Sequence, residues 1–433
     1  MHNRLYCVIG PSASGKSDFA LKLAHAFHEH RQPAAIVCVD VMQMYDGLPI
    51  ATNKPSIEER EGVPHYFIGH LCPFASSADN HPNPESARHY GTEHNIVKFV
   101  PSAISLINDL RRREVVVIVT GGTLYYIQAI LTECIALPSD GDLPDVLEMK
   151  ERIRSMPHDE LYAELLHRDA DVASRWHPND YRHIRRSLEV ICEQAASRAC
   201  PSADSMPPVR WRDHVILWID CPMDVLDDRI ARRTQQMDRR GLCAEVTHFH
   251  LRNFDPSGTS QTAFAGAIGY REFGPYLAFL RSQRAIAQQR GGDAGRQRFR
   301  DSTAQAVAQW NRCLNDLKHK TKKYCTKQNR WIHNKLLVHR DLIVFRVAPG
   351  ELPSDASALC LAEVAEIFQL TRAAIEHHPR RVRAEPRSRE MNRIRLCSIC
   401  EKYLENEAQF LAHESSRQHR KNLSKRTMKR GTG

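Results

Sequence analysis

Short apolar runs alternate with amphipathic stretches in the N-terminal third of the chain. Residues 5–9, 34–39 and 115–119 are runs dense in Val, Ile, Leu, Ala and Cys, whereas residues 15–27 and 97–110 repeat apolar side chains at helical spacing. Apolar runs of strand length that alternate with amphipathic helices predict a parallel sheet with helices on both faces.

The strand pattern returns at residues 215–219, after a long interruption. The intervening residues 143–196 are charged and mostly helical in pattern, which indicates an insertion into the α/β domain. Pro, Ser, Asn and Ala are concentrated in residues 75–84 and 195–208, and this composition predicts loops. Residues 284–301 are rich in Gln, Arg and Gly, and we predict a flexible insertion there.

The bulk properties describe a soluble, reduced protein of more than one domain. With 433 residues the chain is too long for one small core, and none of its apolar runs approaches the roughly 20 residues of a membrane helix. Most of the 13 cysteines stand singly in apolar runs, which favours buried thiols over a disulfide framework. Because the first strand starts at residue 5, we expect no transit peptide and a cytoplasmic or nuclear location.

Positive charge is concentrated at the C-terminal end. The formal net charge is +10, and the residues from Arg380 onward hold 15 Lys and Arg against 6 Asp and Glu, so the rest of the chain is nearly neutral. This tail follows a long helix predicted at residues 303–337 and a basic linker at residues 377–395. A basic tail indicates a polyanionic partner such as nucleic acid, or a solvated end that contains a nuclear-import signal at residues 425–430. Charge alone leaves both interpretations open.

A complete phosphate-binding loop follows the first strand. It matches the pattern G-x-x-x-x-G-K-[ST] with the residues Gly10, Pro11, Ser12, Ala13, Ser14, Gly15, Lys16 and Ser17. In such loops glycines let backbone N–H groups converge on phosphate oxygens beside a helix N-terminus. We expect Lys16 to neutralise phosphate charge and the Ser17 hydroxyl to ligate Mg²⁺.

A carboxylate ends the second strand, but none ends the third. Asp40 follows residues 34–39, where ligands of parallel sheets bind, and it is a candidate metal ligand or general base. Its position alone favours a helix N-cap or turn residue. The run at 115–119 leads into Thr120-Gly121-Gly122-Thr123 and lacks the aspartate that holds Mg²⁺ in nucleotide hydrolases, although Asp220 is a possible substitute. The pattern argues against ordinary ATP hydrolysis.

Two further groups have spacings suited to chemistry. Cys397, Cys400, His413 and His419 have the ligand types and intervals of a C2H2-type zinc finger, with Zn²⁺ in a structural role. Arg229 and Arg233 lie four positions apart on one predicted helix, with Arg232 between them. They are able to clamp phosphate, but the pattern alone favours surface arginines.

Together these patterns predict an α/β fold with three parts. We expect a P-loop NTPase-like parallel sheet, a helical insertion domain and a C-terminal C2H2-type zinc finger. The predicted boundaries are residues 1–140 and 210–350 for the two parts of the core, 141–209 for the insertion, 351–390 for a linker and 391–425 for the finger with its basic tail.

In sequence, the motifs resemble the tRNA isopentenyltransferases (tRNA dimethylallyltransferases) of the eukaryotic type with a C-terminal zinc finger. Residues 10–17 are similar to the family's GPTASGKS, residues 40–45 to DSMQVY and residues 121–126 to GGTxxY. The resemblance continues in the family's order through residues 51–55, 63–66, 177–189, 229–242, 267–272 and 321–331.

This resemblance implies a mechanism. The P-loop binds the pyrophosphate of dimethylallyl pyrophosphate, and an adenine beside the anticodon is turned into the site. Asp40 accepts a proton from its exocyclic amine, while Lys16, Ser17, Mg²⁺ and Arg233 stabilise the leaving pyrophosphate. Thr123 positions the adenine. The remaining residues that the resemblance implies in tRNA binding are Asp40, Val41, Met42, Gln43, Arg182, His183, Ile184, Arg185 and Arg186, with the basic residues 318–330.

The resemblance also implies that the protein is a monomer, that it binds the anticodon stem-loop of tRNA, and that it does not associate with a membrane. Val41 departs from the family pattern, in which a small hydroxyl residue helps to hold the flipped base. Three alternatives remain: an isopentenyltransferase acting on free adenine nucleotides, a P-loop nucleotide kinase with a nucleic-acid-binding finger, and an inactive RNA-binding protein. The finger and basic tail argue against the first, and intact Lys16, Ser17 and Asp40 argue against the last.

Overall fold

The computed structural model describes residues 4–73, 95–133, 144–197, 206–253, 262–289 and 293–347, and in the C-terminal part residues 395–400, 402–404, 407–417, 419–420 and 422–423. The chain divides into two compact units. Met1–Leu137 and Pro207–Ala384 form the first, and Pro138–Met206 and Glu385–Gly433 form the second. The five-part division expected from the sequence stays a prediction.

A parallel sheet forms the centre of the first unit. In the described part of the chain its six strands are β1 (Leu5–Ile9), β2 (Ala34–Cys38), β3 (His65–Tyr66), β4 (Val116–Thr120), β5 (His214–Ile219) and β6 (Val344–Val347). They pair in the order β3-β2-β4-β1-β5-β6, with Leu5 beside Val117 on one side and His214 on the other. Every residue of β1, β2, β4 and β5 is buried, as expected where helices cover both faces of a sheet.

The helices of the two units follow in chain order. They are α1 (Lys16–Glu29), α2 (Val41–Met44), α3 (Ile96–Arg112), α4 (Leu124–Leu131), α5 (Pro144–Ser155), α6 (His158–Arg168), α7 (Ala170–Ala173), α8 (Tyr181–Ser197), α9 (Met223–Arg239), α10 (Leu242–Asn253), α11 (Gly274–Gln289), α12 (Asp293–Trp331) and α13 (Glu407–Glu414).

The central strand divides its side chains between two cores. Leu5 packs in one apolar cluster with Phe99 of α3, whereas Tyr6 packs in the other with Phe27 of α1. This alternation follows from the two-residue period of a strand. The helix-covered parallel sheet confirms the predicted α/β fold.

Several expectations from the sequence differ from the structure. The flexible insertion predicted at residues 284–301 is wrong, because α11 runs to Gln289 and α12 already begins at Asp293. Gln, Arg and Ala are good helix formers, and only residues 290–292, which include two glycines, lie outside the described residues between the two helices. The α12 helix ends at Trp331 and passes into a π-turn at Ile332–Leu336.

Other predicted loops fall outside the described residues. Residues 75–84 and the linker at 377–395 lie almost entirely in segments that the structure does not describe. The segment 195–208 is described at its ends, where α8 continues to Ser197.

The second unit combines the helical insertion with the finger. Helices α5 to α8 enclose a small core around Leu161, Leu165, Ile184 and Leu188, all fully buried. In the finger, β7 (Arg395–Cys397) pairs antiparallel with β8 (Lys402–Leu404), and α13 follows in a ββα order. The ring centroids of His177 and Tyr403 lie 5.3 Å apart, edge to face, within this unit.

None of the helices described by the structure has both the length and the apolar character needed to cross a bilayer.

Candidate active site

The P-loop occupies the turn from β1 to α1. A Cβ atom at Gly10 would lie 2.7 Å from the Ser14 Oγ and 2.9 Å from the Ile219 carbonyl oxygen, so the chain is too close there for a side chain. Gly15 has φ 92° and precedes α1 as an N-cap without a side-chain hydrogen bond. The first N–H groups of α1 therefore stay available to an anion, as the motif predicts.

Polar side chains surround this turn. The Lys16 ammonium donates to the Pro11 carbonyl at 3.3 Å, and Arg229 Nη1 donates to the Ser14 carbonyl at 2.8 Å. The Ser14 hydroxyl is buried and has no hydrogen-bond partner among the described residues. Ser17, the second residue of α1, is exposed. For Arg229 the interpretation as a surface arginine is wrong, whereas Arg232 is exposed.

Asp40 lies two residues beyond the end of β2, and its two carboxylate oxygens have different surroundings. Its Oδ1 accepts from the Met42 N–H at 3.1 Å and caps α2, which confirms the N-cap interpretation. Its Oδ2 faces the next strand end, because a Cβ atom at Gly122 would lie 2.5 Å from it. One oxygen is thus fixed by the backbone, and the other is directed at the Gly122 turn.

Glycines allow the strand ends of β2 and β4 to approach each other. A Cβ atom at Gly121 would lie 2.0 Å from the Val39 carbonyl oxygen. The Thr123 N–H donates to this same carbonyl at 3.1 Å, and the Val41 N–H donates to Thr123 Oγ1 at 3.1 Å. Thr123 thus lies directly beside Asp40, and its hydroxyl keeps its own proton for another acceptor.

Two cationic side chains, Lys16 and Arg233, interact electrostatically with Asp40. Burial lowers the pKa of Lys16. The negative charge of Asp40 raises this pKa, and the positive charge of Arg233 lowers it further. Burial likewise lowers the pKa of Arg233, again opposed by Asp40. Among the described residues no ion pair joins Asp40 to either cation. Two desolvated cations that are not ion-paired to Asp40 form a site for an anionic ligand.

Helix α12 contributes three side chains that the sequence pattern did not single out as functional. The Tyr324 hydroxyl and Gln328 Nε2 both donate to the Gly122 carbonyl, at 3.0 and 2.9 Å. Cys325 Sγ donates to the Ser12 carbonyl at 3.2 Å, and the Ser12 N–H donates to Gln328 Oε1 at 2.8 Å. The family motif at residues 321–331 can be recognised in the sequence. The role of Tyr324 and Gln328 cannot, because Gly122, which they contact, lies more than 200 positions away.

The remaining residues of the predicted adenine site connect neighbouring loops. Gln43 Nε2 donates to the Asn53 carbonyl at 2.7 Å, and Cys38 Sγ donates to Gln43 Oε1 at 3.3 Å. Glu245 of α10, which sequence patterns did not indicate, accepts from the N–H groups of residues 50 and 51, both at 2.7 Å. Gln43 and Glu245 therefore shape the loop after α2.

Asp220 is engaged elsewhere. Its carboxylate forms an ion pair with Arg346 Nη2 at 2.6 Å, beyond the end of β5. This pairing gives no support to the interpretation of Asp220 as a substitute for the missing metal-binding aspartate.

The predicted tRNA-binding residues on α8 occupy different environments. Arg182 is exposed, while Arg185 Nε donates to the Ile153 carbonyl at 3.3 Å and Arg186 pairs with Glu189 at 2.9 Å. Ile184 is fully buried in the core of the second unit, so its assignment as an RNA contact is wrong. Ile184 stands between the arginines of the motif, and the motif alone does not distinguish it from its exposed neighbours.

His183 on the same helix is exposed and held by two neighbours. Its Nδ1 lies 2.8 Å from Asp180 Oδ1, and its ring stacks on Trp176 with centroids 4.4 Å apart. The exposed edge of this stack, beside Arg182, fits the predicted contact with RNA.

The four predicted zinc ligands meet in the finger. Ligand atoms of Cys397, Cys400, His413 and His419 all lie within 4.8 Å of one another. His419 Nδ1 lies 3.4 and 3.7 Å from the two sulfur atoms and 3.2 Å from His413 Nε2. Tetrahedral zinc with its usual bond lengths separates such ligands by about 3.3–3.8 Å. The residues therefore fit a structural Zn²⁺ site.

Comparisons with known proteins show which family the chain is similar to. The family model described as IPP transferase matches residues 43–82 and 84–335, and one described as zinc-finger double-stranded RNA-binding matches residues 397–420. Among curated relatives, the tRNA dimethylallyltransferase of Mus musculus is 27% identical over 98% of this chain and 86% of its own length. That of Homo sapiens is 28% identical over the same shares.

A solved structure shows a similar fold. It is described as a eukaryotic dimethylallyltransferase acting on tRNA, and it matches with a TM-score of 0.68 and 22% identity over 99% of this chain and 98% of its own. At that identity the likeness supports the fold.

Proposed function

This chain belongs to the IPP transferase family, as its resemblance predicted, and we propose that it transfers a dimethylallyl group from dimethylallyl pyrophosphate to tRNA. The acceptor is the exocyclic amine of the adenine adjacent to the anticodon. The observation that supports this proposal best is the environment of Asp40, whose Oδ2 faces the Gly122 turn and whose charge acts on the P-loop Lys16.

The P-loop binds the leaving group in this proposal. The N–H groups at the start of α1 and the buried Ser14 hydroxyl donate to pyrophosphate oxygens. Lys16 and Arg233 neutralise the charge that develops when the bond between the allylic carbon and oxygen breaks. Arg229 does not need to touch the ligand, because it holds the P-loop through the Ser14 carbonyl.

Asp40 acts as the general base. The amine nitrogen attacks the allylic carbon, pyrophosphate leaves with the electron pair of the broken bond, and Oδ2 of Asp40 accepts the amine proton. Because Oδ1 accepts from the Met42 N–H, the carboxylate cannot rotate freely and presents one defined oxygen. The missing strand-end aspartate after β4 agrees with a site that does not hydrolyse ATP.

The Ser17 hydroxyl and the bound pyrophosphate are the groups that would hold Mg²⁺. The ion supplies additional positive charge to the leaving pyrophosphate. Ser17 is exposed at the start of α1, beside Lys16, which suits this role.

The acceptor adenine is positioned by the loops around Asp40. Thr123 Oγ1 keeps a proton to donate to a ring nitrogen of the base. Val41, Met42 and Gln43 follow Asp40 in the chain, and Gln43 acts through the loop that its amide holds.

The second unit holds the RNA itself. Arg182 and His183 present exposed polar groups on α8, with Arg185 and Arg186 on the same helix. The zinc-bearing finger adds a basic module whose family model is described as double-stranded RNA-binding. We propose that the protein acts as a monomer in the cytoplasm or nucleus, which sedimentation and cell fractionation would test.

Labelled dimethylallyl pyrophosphate distinguishes this function from its alternatives. The protein is incubated with Mg²⁺, the labelled donor and either tRNA or AMP, and ATP consumption is followed in parallel. We expect label in tRNA only. Label in AMP but not in tRNA would identify a free-nucleotide prenyltransferase, and ATP turnover without transfer would identify a kinase.

A further inference from the structure

One buried amide connects the two loops on which the proposed reaction depends. The side chain of Gln328 in α12 is only 3% exposed. Its Oε1 accepts from the Ser12 N–H of the P-loop at 2.8 Å, and its Nε2 donates to the Gly122 carbonyl at 2.9 Å. A primary amide has both a donor and an acceptor, and here each is used by a different loop.

Two neighbours on the same helix reinforce each end of this bridge. Cys325 Sγ donates to the Ser12 carbonyl, so Ser12 is bonded through both its N–H and its C=O groups. The Tyr324 hydroxyl donates to the Gly122 carbonyl, which therefore receives two hydrogen bonds. Gln328 is the member of this trio that is bonded to both loops.

The two loops serve opposite ends of the proposed reaction. Ser12 belongs to the turn that binds pyrophosphate, whereas Gly122 is in close contact with Asp40 and precedes Thr123. The strands before these loops are neighbours, but the loops themselves extend beyond the last paired residues of the sheet. Their separation is therefore fixed by what bridges them, and the amide of Gln328 does so directly.

We propose that Gln328 is a positioning residue that sets the distance between the pyrophosphate of the donor and the base Asp40. This inference rests on the proposed function for its kinetic part. Gln328 touches neither reactant; it acts by holding Ser12 and Gly122 at a fixed separation. Misplacement of reacting groups by about 1 Å costs on the order of 100-fold in rate.

Gln328→Met tests this role, because methionine has a similar length but no hydrogen-bonding amide. We expect the single-turnover rate of prenyl transfer to fall about 100-fold. The equilibrium affinities for pyrophosphate and tRNA should each change less than fivefold. Amide hydrogen exchange should become faster in residues 10–17 and in residues 121–124 together. Gln305→Met is the matched control, because Gln305 lies exposed on the same helix.

The partial variants keep the test decisive if Gln328→Met does not fold. Tyr324→Phe and Cys325→Ala each remove one reinforcing bond, so we expect a rate loss of a few fold for each and about tenfold for both together. Gln328→Glu is compared with the wild-type protein at each pH, and we expect its relative rate to rise as pH falls and the introduced carboxyl gains a proton, since a carboxylic acid has both a donor and an acceptor.

The proposal is overturned if Gln328→Met stays within threefold of the wild-type rate, or if its rate loss is matched by an equal loss of pyrophosphate affinity. It is also overturned if exchange rises in neither loop. Failure of the proposed function gives a different result: the wild-type protein itself transfers no label to tRNA. In that case the exchange data still decide whether Gln328 couples the two loops.

Discussion

The reaction centre and the zinc centre differ in how far apart in the sequence their residues lie. At the reaction centre, groups from distant parts of the chain meet: Ser12 and Gln328 are 316 positions apart. At the zinc centre, Cys397 and His419 are 22 positions apart, and the site is closed by four side chains. The first site lies on a large buried sheet, which folds without any one of the site's contacts. Loss of a single contact should therefore change the geometry of the site and leave the fold intact. Among the described residues of the finger only the two ligands Cys397 and His419 are buried, so we expect the metal to determine whether it folds.

This comparison predicts that changes in the first unit alter chemistry and changes in the second alter RNA binding. The strongest test is Asp40→Asn. An asparagine oxygen is able to accept from the Met42 N–H and preserve the cap of α2, but the amide cannot take a proton. We expect the transfer rate to fall about 10²- to 10⁴-fold, measured by single turnover, with tRNA affinity unchanged.

Asp40→Ala serves as its companion. The rate loss should be similar, and removal of the cap should cost about 1 kcal/mol of stability in addition. Turnover within tenfold of wild type in either variant would exclude Asp40 as the base.

The next effect concerns the core of the second unit. Ile184→Ala removes buried methyl groups from the cluster around Leu161 and Leu188, and we expect it to cost about 2–5 kcal/mol of the stability of that unit. Hydrogen exchange of α5 to α8 would measure this loss. An unchanged exchange pattern together with weaker tRNA binding would show instead that Ile184 contacts RNA.

Arg229→Met tests whether the P-loop needs external support. The bond from Arg229 Nη1 to the Ser14 carbonyl is charge-assisted, and such bonds contribute about 1.5–3 kcal/mol. Because Arg229 is only half-buried, we expect the lower end of that range, which is about a tenfold loss of pyrophosphate affinity by calorimetry. Arg232→Met, the exposed neighbour, should leave the affinity within twofold; equal losses in both variants would refute the contact.

Removal of zinc should affect RNA binding and spare the chemistry. Cys397→Ser leaves three ligands, so we expect loss of the metal, unfolding of the finger and about tenfold weaker tRNA binding at moderate salt. The single-turnover rate at saturating tRNA should stay unchanged. Ser415→Ala, a change of an exposed non-ligand in the finger, is the control. A rate loss at saturating tRNA would place the finger in the reaction itself.

The smallest effect is expected from Arg182→Ala. This exposed arginine should contribute one phosphate contact, so its removal weakens tRNA binding a few fold and reduces the slope of log affinity against log salt by about 1. A filter-binding salt titration measures the slope, and an unchanged slope would remove Arg182 from the RNA surface.

The sequence allowed prediction of features that depend on neighbours in the chain. The apolar runs of β1, β2, β4 and β5, the P-loop and the four zinc ligands all depend on local spacing, and the structure places each within a residue or so of its predicted position. The N-cap role of Asp40 is likewise local, since its partner is Met42.

Features that depend on distant partners were missed or mistaken. Arg229 resembled a surface arginine because its partner, Ser14, is 215 positions away. The same holds for Gln328 and its bonds to both loops. Ile184 was misassigned for a different reason, because a buried residue and its exposed neighbours alternate within one helical motif. The helix across residues 293–301 was missed because the composition of those residues resembles that of a loop.

The sheet order has a consequence for the order of events during synthesis on the ribosome. Strand β1 emerges first, yet its neighbours in the sheet are β4 and β5, which begin at Val116 and His214. The bridge from α12 is completed later still. The phosphate-binding turn therefore gains its neighbouring strands first, and its contact with Gln328 only when about three quarters of the 433 residues have been made. Long-range parallel pairing of this kind forms slowly, so we expect the apolar β1 strand to be prone to aggregation until β4 and β5 have been made.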